Sequence, residues 1–216
     1  MITVIPGYPP IKRDDTGHYS TPLGYLPSVT TVKRNGETFP DGYIVAAENG
    51  NAIHALMESA FTGRYVGGLE ENQALRFSRF VSLYETAIVR YERPYAVEIG
   101  IWSSLGYAGR IDAICKLKGN NRHVLVDWKS GREFSQDRIL RFGYLMQCAA
   151  YAHAWNERAT ENTHTRMPHV DGVELVCVDA RGVVQIFEYS MECDKFSNAF
   201  EDFADRLAYF TERALA

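Results

Sequence analysis

The spacing of hydrophobic residues predicts two helices followed by a group of strands. Apolar side chains recur three and four positions apart in residues 46–61, and residues 69–92 repeat this spacing until Pro94, as amphipathic helices do. Residues 95–128 then form three strand-like runs, of which the first, YAVEIGIW, alternates apolar and polar side chains, and the turn sequences SSLG and GNN separate them. Strand-like runs joined by short turns are typical of an antiparallel meander.

The rest of the chain returns to helical spacing, then to strands, then to a last helix. One long helix is predicted over residues 136–158, two strands over 172–179 and 183–189, and an amphipathic helix over 193–214. This order of elements predicts a single α/β domain with a mixed sheet.

The first 45 residues differ in composition from the rest. They hold six of the eight prolines, together with many glycines and hydroxyl side chains, and such a composition favours loops or short strands. We therefore expect residues 1–45 to form an N-terminal arm packed on a core domain of residues 46–216.

Composition and charge exclude several classes of protein. The chain has 216 residues, 46% hydrophobic and 23% charged, as in an ordinary globular domain. The chain has no apolar run long enough for a membrane span or a signal peptide, and its four cysteines are scattered. We therefore expect a soluble protein of a reducing cytoplasm, with no membrane partner. The net charge of −4 argues against coating nucleic acid by bulk electrostatics, but it leaves room for a local basic groove.

Acidic side chains and one lysine are concentrated on the predicted strands. Glu98 precedes Asp112 and Asp127, which stand fifteen residues apart across one hairpin, and Lys129 shares a strand face with Asp127. Asp127 interrupts an apolar run, where an unpaired carboxylate would be costly. A single Asp beside a turn is usually a turn residue, whereas several converging carboxylates need a cation, and their hard oxygens suit Mg²⁺ or Mn²⁺.

Five short motifs resemble, in sequence and in order, those of the PD-(D/E)XK nuclease superfamily, in its RecB-like branch of phage and mitochondrial genome maintenance exonucleases. The motifs are LPSVTTV at 26–32, NAIHALME at 51–58, GRIDAI at 109–114, VLVDWKSG at 124–131 and QCAAY at 147–151. The resemblance implies a single-domain restriction-endonuclease-like fold, with a central mixed sheet flanked by helices. It also implies an Mg²⁺- or Mn²⁺-dependent DNA exonuclease that acts on single strands or free duplex ends in phage or bacterial recombination, replication or repair.

The resemblance assigns roles to five residues. Asp112 resembles the aspartate that bridges metal ions, Asp127 the second carboxylate ligand, and Lys129 the lysine that orients or deprotonates the attacking water. Glu98 matches the acidic residue of the preceding strand, and His54 matches the histidine that adds a metal ligand. Outside such a motif, a lone helical histidine is more often a surface or core residue.

Further residues are predicted to support this site. Glu58 shares a helix face with His54, and Gln147 and Tyr151 lie four apart on one helix, where the resemblance implies that they hold the catalytic lysine and the substrate backbone. Tyr151 could instead pack in the core. The remaining candidates for substrate contact are Ser28, Thr30, Ser130, Arg132, Arg138 and Arg141, although surface arginines are commonly only solvated.

Two departures from relatives in this branch limit the function. The cysteines are 33, 29 and 16 residues apart, so we expect no iron–sulfur cluster. The chain has no GxxxxGK[ST] loop, so we expect no bound nucleotide and no motor, only a stand-alone nuclease or the subunit of a recombination or replication partner.

Three alternatives remain open at the level of sequence. The protein could be a structure- or site-specific DNA endonuclease of the same fold, a DNA-binding module without catalysis, or a metal hydrolase with another substrate. The intact Asp112, Asp127 and Lys129 argue against the second. Polarity, strand preference, DNA against RNA, and oligomeric state are left open.

Overall fold

The computed structural model describes residues 8–34, 43–63, 74–161 and 167–215. Its strands are β1 (Lys12–Arg13), β2 (His18–Thr21), β3 (Gly24–Pro27), β4 (Ala96–Ser103), β5 (Tyr107–Lys116), β6 (His123–Ser130), β7 (Gly172–Val178) and β8 (Val184–Ser190). Its helices are α1 (Val29–Arg34), α2 (Tyr43–Thr62), α3 (Ala74–Arg90), α4 (Gln136–Arg141), α5 (Tyr144–Glu161) and α6 (Asp194–Leu215). None of the helices in these ranges combines the length and the hydropathy that a membrane-spanning segment requires.

The central sheet has five strands in the order β4-β5-β6-β7-β8. All neighbouring pairs are antiparallel except β6 and β7, which are parallel. Parallel neighbours need a crossover connection, and α4 and α5 lie in the segment that joins β6 to β7. The predicted antiparallel meander and the predicted mixed sheet are both confirmed.

Each face of the sheet is covered by a separate hydrophobic cluster. Trp155 and Phe203, from α5 and α6, are fully buried in one cluster, whereas Ile53 and Leu83, from α2 and α3, are buried with Trp128 in the other. Full burial of one large apolar side chain contributes about 1.5–3 kcal/mol, so these helices are held mainly by their apolar faces.

The alternation along β6 decides which way its functional residues point. Val124, Val126 and Trp128 belong to the cluster under α2 and α3, and Leu125 belongs to the cluster under α5. Because alternate residues of a strand share a face, residues 127 and 129 project toward α5.

The prediction of one uninterrupted helix over residues 136–158 is wrong, because the chain breaks between α4 and α5. Gly143 adopts a left-handed conformation with φ +62°, and its N–H donates to the carbonyl of Leu140 at 2.9 Å. A glycine in this conformation is a common helix terminator. The apolar spacing continues across the break, since both helices bury residues on the same side, and spacing alone therefore did not reveal it.

The N-terminal arm has more regular structure than was predicted. Strands β1, β2 and β3 form an antiparallel sheet of their own, and α1 follows directly. Helix α2 begins at Tyr43, three residues before the predicted start at Ala46 and inside the predicted arm. Residues 1–7 and 35–42 of the arm lie outside the described residues, and the division into arm and nuclease domain stays a prediction.

Candidate active site

The central sheet opens around Asp112 in the middle of β5. The β5–β6 register ends at the pair Ala113–Val126, and the β4–β5 register omits the pair that Glu98 and Asp112 would form. Instead, the Oδ2 atom of Asp112 accepts the backbone N–H of Trp128 at 2.8 Å. The side chain thus replaces a main-chain hydrogen bond, and this fixes the carboxylate in the gap.

Three potential metal ligands meet at this opening. Nδ1 of His54 lies 3.2 Å from Oδ1 of Asp112 and 3.7 Å from Oε1 of Glu98. One ligand atom from each residue lies within 4.8 Å of the others, and this is the one such group of three found in the described ranges. Glu58 is half-buried one turn after His54 and is not part of the group.

Glu98 is held in a strained backbone conformation. Its φ of +49° is the one positive value at a non-glycine residue in the described parts of the chain, and such a conformation costs on the order of 1–3 kcal/mol. Nε of Arg110 lies 2.8 Å from Oε2 of Glu98, so the carboxylate is held between Arg110 and His54. Arg110 was not among the site residues predicted from the sequence, although it precedes Asp112 by two positions on the same strand.

Asp127 and Lys129 form a buried ion pair beside this group. Nζ of Lys129 contacts Oδ2 of Asp127, and the two side chains are only 15% and 2% exposed. Apart from this contact, Oδ2 of Asp127 has no hydrogen-bond partner among the described residues. The ammonium also lies 5.4 Å from the ring centroid of Tyr144 on α5, as the alternation of β6 requires.

Burial and neighbouring charges shift the pKa values of Asp112 and His54 in opposite directions. Burial would raise the pKa of Asp112, but His54 and Lys129 hold it below its ordinary value. Burial would lower the pKa of His54, but the carboxylates of Asp112 and Glu98 raise it to about 10. The metal-free site therefore carries a protonated imidazole, which offsets one of its two negative charges.

The pKa values of the Asp127 carboxyl group and the Lys129 ammonium are both raised. Burial, with repulsion from Asp112, raises the pKa of Asp127 although Lys129 opposes the shift. Burial would lower the pKa of Lys129, but Asp127 and Asp112 outweigh it and raise the value. Lys129 is therefore an ammonium at neutral pH.

The residues at the opening fit a divalent cation. One imidazole and carboxylate oxygens are the donors, and the buried Oδ2 of Asp127 could accept a further partner. Such oxygen-rich sets suit Mg²⁺ and Mn²⁺. Positive charge from the ion would replace the proton of His54, since a ligating imidazole must be neutral.

Gln147 and Tyr151 form a polar pair on α5. Nε2 of Gln147 donates to the hydroxyl of Tyr151 at 3.2 Å, and Oε1 accepts from Nζ of Lys33 at 3.3 Å. The lysine that Gln147 contacts is thus Lys33 of α1, which the sequence analysis missed, and not Lys129. Tyr151 is also a core residue, 4% exposed, and its ring packs against Gly109, where an added Cβ would overlap it.

The two candidates in the arm lie at the start of α1. Oγ of Ser28 accepts the backbone N–H of Thr31 at 3.0 Å, which is the bond that an N-cap residue makes. Thr30 is half-buried on the same helix. Ser28 thus has a structural role, and a substrate contact by either residue stays a prediction.

The candidates after β6 are more exposed. Ser130 is half-buried at the end of the strand, and Arg132 and Arg141 are exposed. Arg138 is paired with Glu133 at 3.1 Å. Contact of these side chains with a substrate stays a prediction.

Comparison with known proteins finds a family model and solved structures that are similar to this chain. A model of the PD-(D/E)XK nuclease superfamily matches residues 51–214, which include all the residues at the opening of the sheet. A presumed exonuclease from Eubacterium rectale has a similar structure, with a TM-score of 0.52 and 12% identity over 85% of this chain and 79% of that one. A phage-related exonuclease from Haemophilus somnus 129PT gives a TM-score of 0.44 and 10% identity over 87% and 94%. No curated protein sequence matches significantly.

Proposed function

Since the chain belongs to the PD-(D/E)XK nuclease superfamily, we propose that it is an Mg²⁺- or Mn²⁺-dependent DNA exonuclease that hydrolyses phosphodiester bonds from free ends. The observation that carries the proposal is the convergence of His54, Glu98 and Asp112 on one opening of the sheet, beside the buried pair of Asp127 and Lys129. Recombination, replication or repair of phage or bacterial DNA is the proposed setting.

His54, Glu98 and Asp112 would hold the ion, and Asp127 would supply a further oxygen. An ion held by these residues would supply activation of water and neutralisation of charge on the phosphoryl oxygens. Arg110 keeps Glu98 in place. The protein's own side chains would position the attacking water and stabilise the negative charge that develops on the phosphoryl group.

Lys129 is proposed to act as a cation rather than as a base. Because the neighbouring carboxylates raise its pKa, the ammonium keeps its proton at neutral pH. It can then orient the attacking water and stabilise negative charge on the phosphoryl group, an electrostatic effect that is strong in a buried site.

Exonuclease activity is proposed in preference to endonuclease activity. The Eubacterium rectale protein of the same fold is described as a presumed exonuclease, and this supports cleavage from ends. An endonuclease would be separated from this proposal by cleavage of closed circular DNA, and a binding module without catalysis by the absence of hydrolysis of any substrate.

The test is hydrolysis of labelled linear single-stranded, linear duplex and closed circular DNA, with a linear RNA as a further substrate, in Mg²⁺, Mn²⁺ or EDTA. We expect linear DNA to be degraded with either ion, circular DNA to stay intact, and EDTA to stop the reaction. Cleavage of the circles would indicate an endonuclease, and an absence of hydrolysis under all conditions would indicate a binding module.

Two variants show whether the activity belongs to this site. Asp127→Asn should lose hydrolysis, whereas Asp202→Asn, at an exposed position on α6, should retain it. Equal activity of the two variants would mean that the opening in the sheet is not the catalytic site.

A further inference from the structure

Lys33 brings a second ammonium to the active site, from an element outside the sheet. Its Nζ lies 5.5 Å from the ring centroid of Tyr144, and Nζ of Lys129 lies 5.4 Å from the same ring. The two cations therefore share one aromatic side chain, although they come from α1 and β6.

The fold holds α1 in position at both ends. Ser28 caps the first turn, and Nη1 of Arg206 on α6 donates to the carbonyl of Lys33 at 2.5 Å. The stem of Lys33 crosses Gly143, where an added Cβ would lie 3.1 Å from its Cδ. The break between α4 and α5 thus leaves the space through which this side chain reaches the site.

The hydrogen-bond partners of the Lys33 ammonium are neutral. Nζ donates to the backbone carbonyl of Phe142 at 3.4 Å and to Oε1 of Gln147 at 3.3 Å. Among the described residues Lys33 forms no ion pair with a carboxylate, and Asp127 attracts it only at longer range, whereas Lys129 contacts Asp127 directly as its counter-ion. Burial, with repulsion from Lys129, lowers the pKa of Lys33 to about 8.

An incompletely compensated cation in this position needs an anionic partner. A partly buried charge is costly unless it is paired, and a DNA strand delivered to Asp112 and Lys129 carries a phosphate at every nucleotide. A non-bridging phosphate oxygen could accept from an ammonium whose hydrogen-bond acceptors in the described part of the chain are two neutral carbonyl oxygens.

We propose that Lys33 is a substrate-binding residue whose ammonium contacts a phosphate of the DNA strand beside Lys129. This inference rests on the proposed nuclease function. Lys33 contributes to the affinity for DNA, while Lys129 acts on the phosphoryl group under attack, so the two lysines have separate roles.

The experiment measures binding of a labelled single-stranded oligonucleotide by fluorescence anisotropy in EDTA, at several salt concentrations between about 50 and 200 mM. Lys33→Met removes the charge, and Lys33→Gln removes it but keeps an N–H₂ donor for Phe142 and Gln147. Lys118→Met is the matched control, because Lys118 also donates to a backbone carbonyl, that of Ile88, at 2.5 Å.

We expect both Lys33 variants to bind DNA about tenfold or more weakly. The slope of log K against log salt should become shallower by about 0.7, the contribution of one phosphate contact in a single strand. Lys118→Met should match the wild type in both quantities.

A structural tether would give a different result. In that case Lys33→Gln would keep the affinity and salt slope of the wild type, and Lys33→Met would lower only the melting temperature, which would overturn the proposal. This test remains valid even if the Lys33→Met variant does not fold, because Lys33→Gln removes the charge and keeps a hydrogen-bond donor. If the wild type neither binds nor hydrolyses DNA, the proposed function itself fails.

Discussion

Removing the ammonium of Lys129 should leave Asp127 buried and without a counter-ion. Lys129→Met keeps the length of the side chain, but Oδ2 of Asp127 has no other partner among the described residues. Loss of one member of a buried ion pair costs about 3–5 kcal/mol of unfolding free energy. Asp127→Asn should cost less, since Lys129 keeps the attraction of Asp112.

The double variant, in which both charges are absent, should recover most of this loss. Replacement of a buried pair by neutral groups is often close to neutral, so Asp127→Asn with Lys129→Met should be more stable than the two single effects predict together. We expect a coupling free energy of at least about 3 kcal/mol.

Urea unfolding in EDTA, monitored by circular dichroism, gives the free energies of unfolding of the wild type, the two single variants and the double variant by linear extrapolation. The matched control is the same cycle on Lys116 and Glu92, an exposed pair with nitrogen and oxygen 3.1 Å apart, where the coupling should stay below about 1 kcal/mol. Additive effects at Lys129 and Asp127, similar to those of the control pair, would refute the reasoning.

The pH dependence of Lys129→Met has a defined sign. The pKa of Asp127 is raised in the folded protein, and loss of Lys129 should raise it further. A carboxyl group with a raised folded pKa binds more protons in the folded state, so stability falls as pH rises through the window between the unfolded and folded values. The deficit relative to the wild type should therefore be larger at about pH 8 than at about pH 5.

Three further predictions concern the metal ligands and the packing beneath them. Asp112→Asn should reduce DNA hydrolysis at least about a thousandfold, equivalent to about 4 kcal/mol of transition-state stabilisation, and rates near the wild type in a gel assay would contradict its assignment as a ligand. The pKa of His54 is raised to about 10, so its contribution to metal-free stability should be complete below about pH 6.5 and disappear as pH rises through the folded value. Urea titrations in EDTA should show this decline in the wild type and a flatter profile in His54→Gln. Calorimetry with Mn²⁺ in two buffers should detect proton release that His54→Gln lacks. Gly109→Ala should displace the ring of Tyr151 and destabilise the fold by about 1–3 kcal/mol through overpacking. Thermal melts would measure this loss, and an unchanged melting temperature would mean that the ring moves freely.

The sequence by itself determined the sheet and the principal catalytic candidates. Turn residues and runs rich in apolar and β-branched side chains located β4, β5 and β6, because a strand that packs against a hydrophobic cluster on each face is apolar on both faces. Asp127 was identifiable for a related reason, since a carboxylate inside an apolar run must have a partner. Its contact with Lys129 confirms that a partner is present.

Only the tertiary structure decided how these residues are held and what else joins them. The left-handed backbone of Glu98 and its contact with Arg110 depend on the opening between β4 and β5, which no local pattern encodes. The break at Gly143 was hidden because α4 and α5 bury the same side. Lys33 stands 114 residues before Gln147, and a contact over that distance arises from the packing of α1 against α5, whereas sequence spacing reports only on neighbours within one helix or strand.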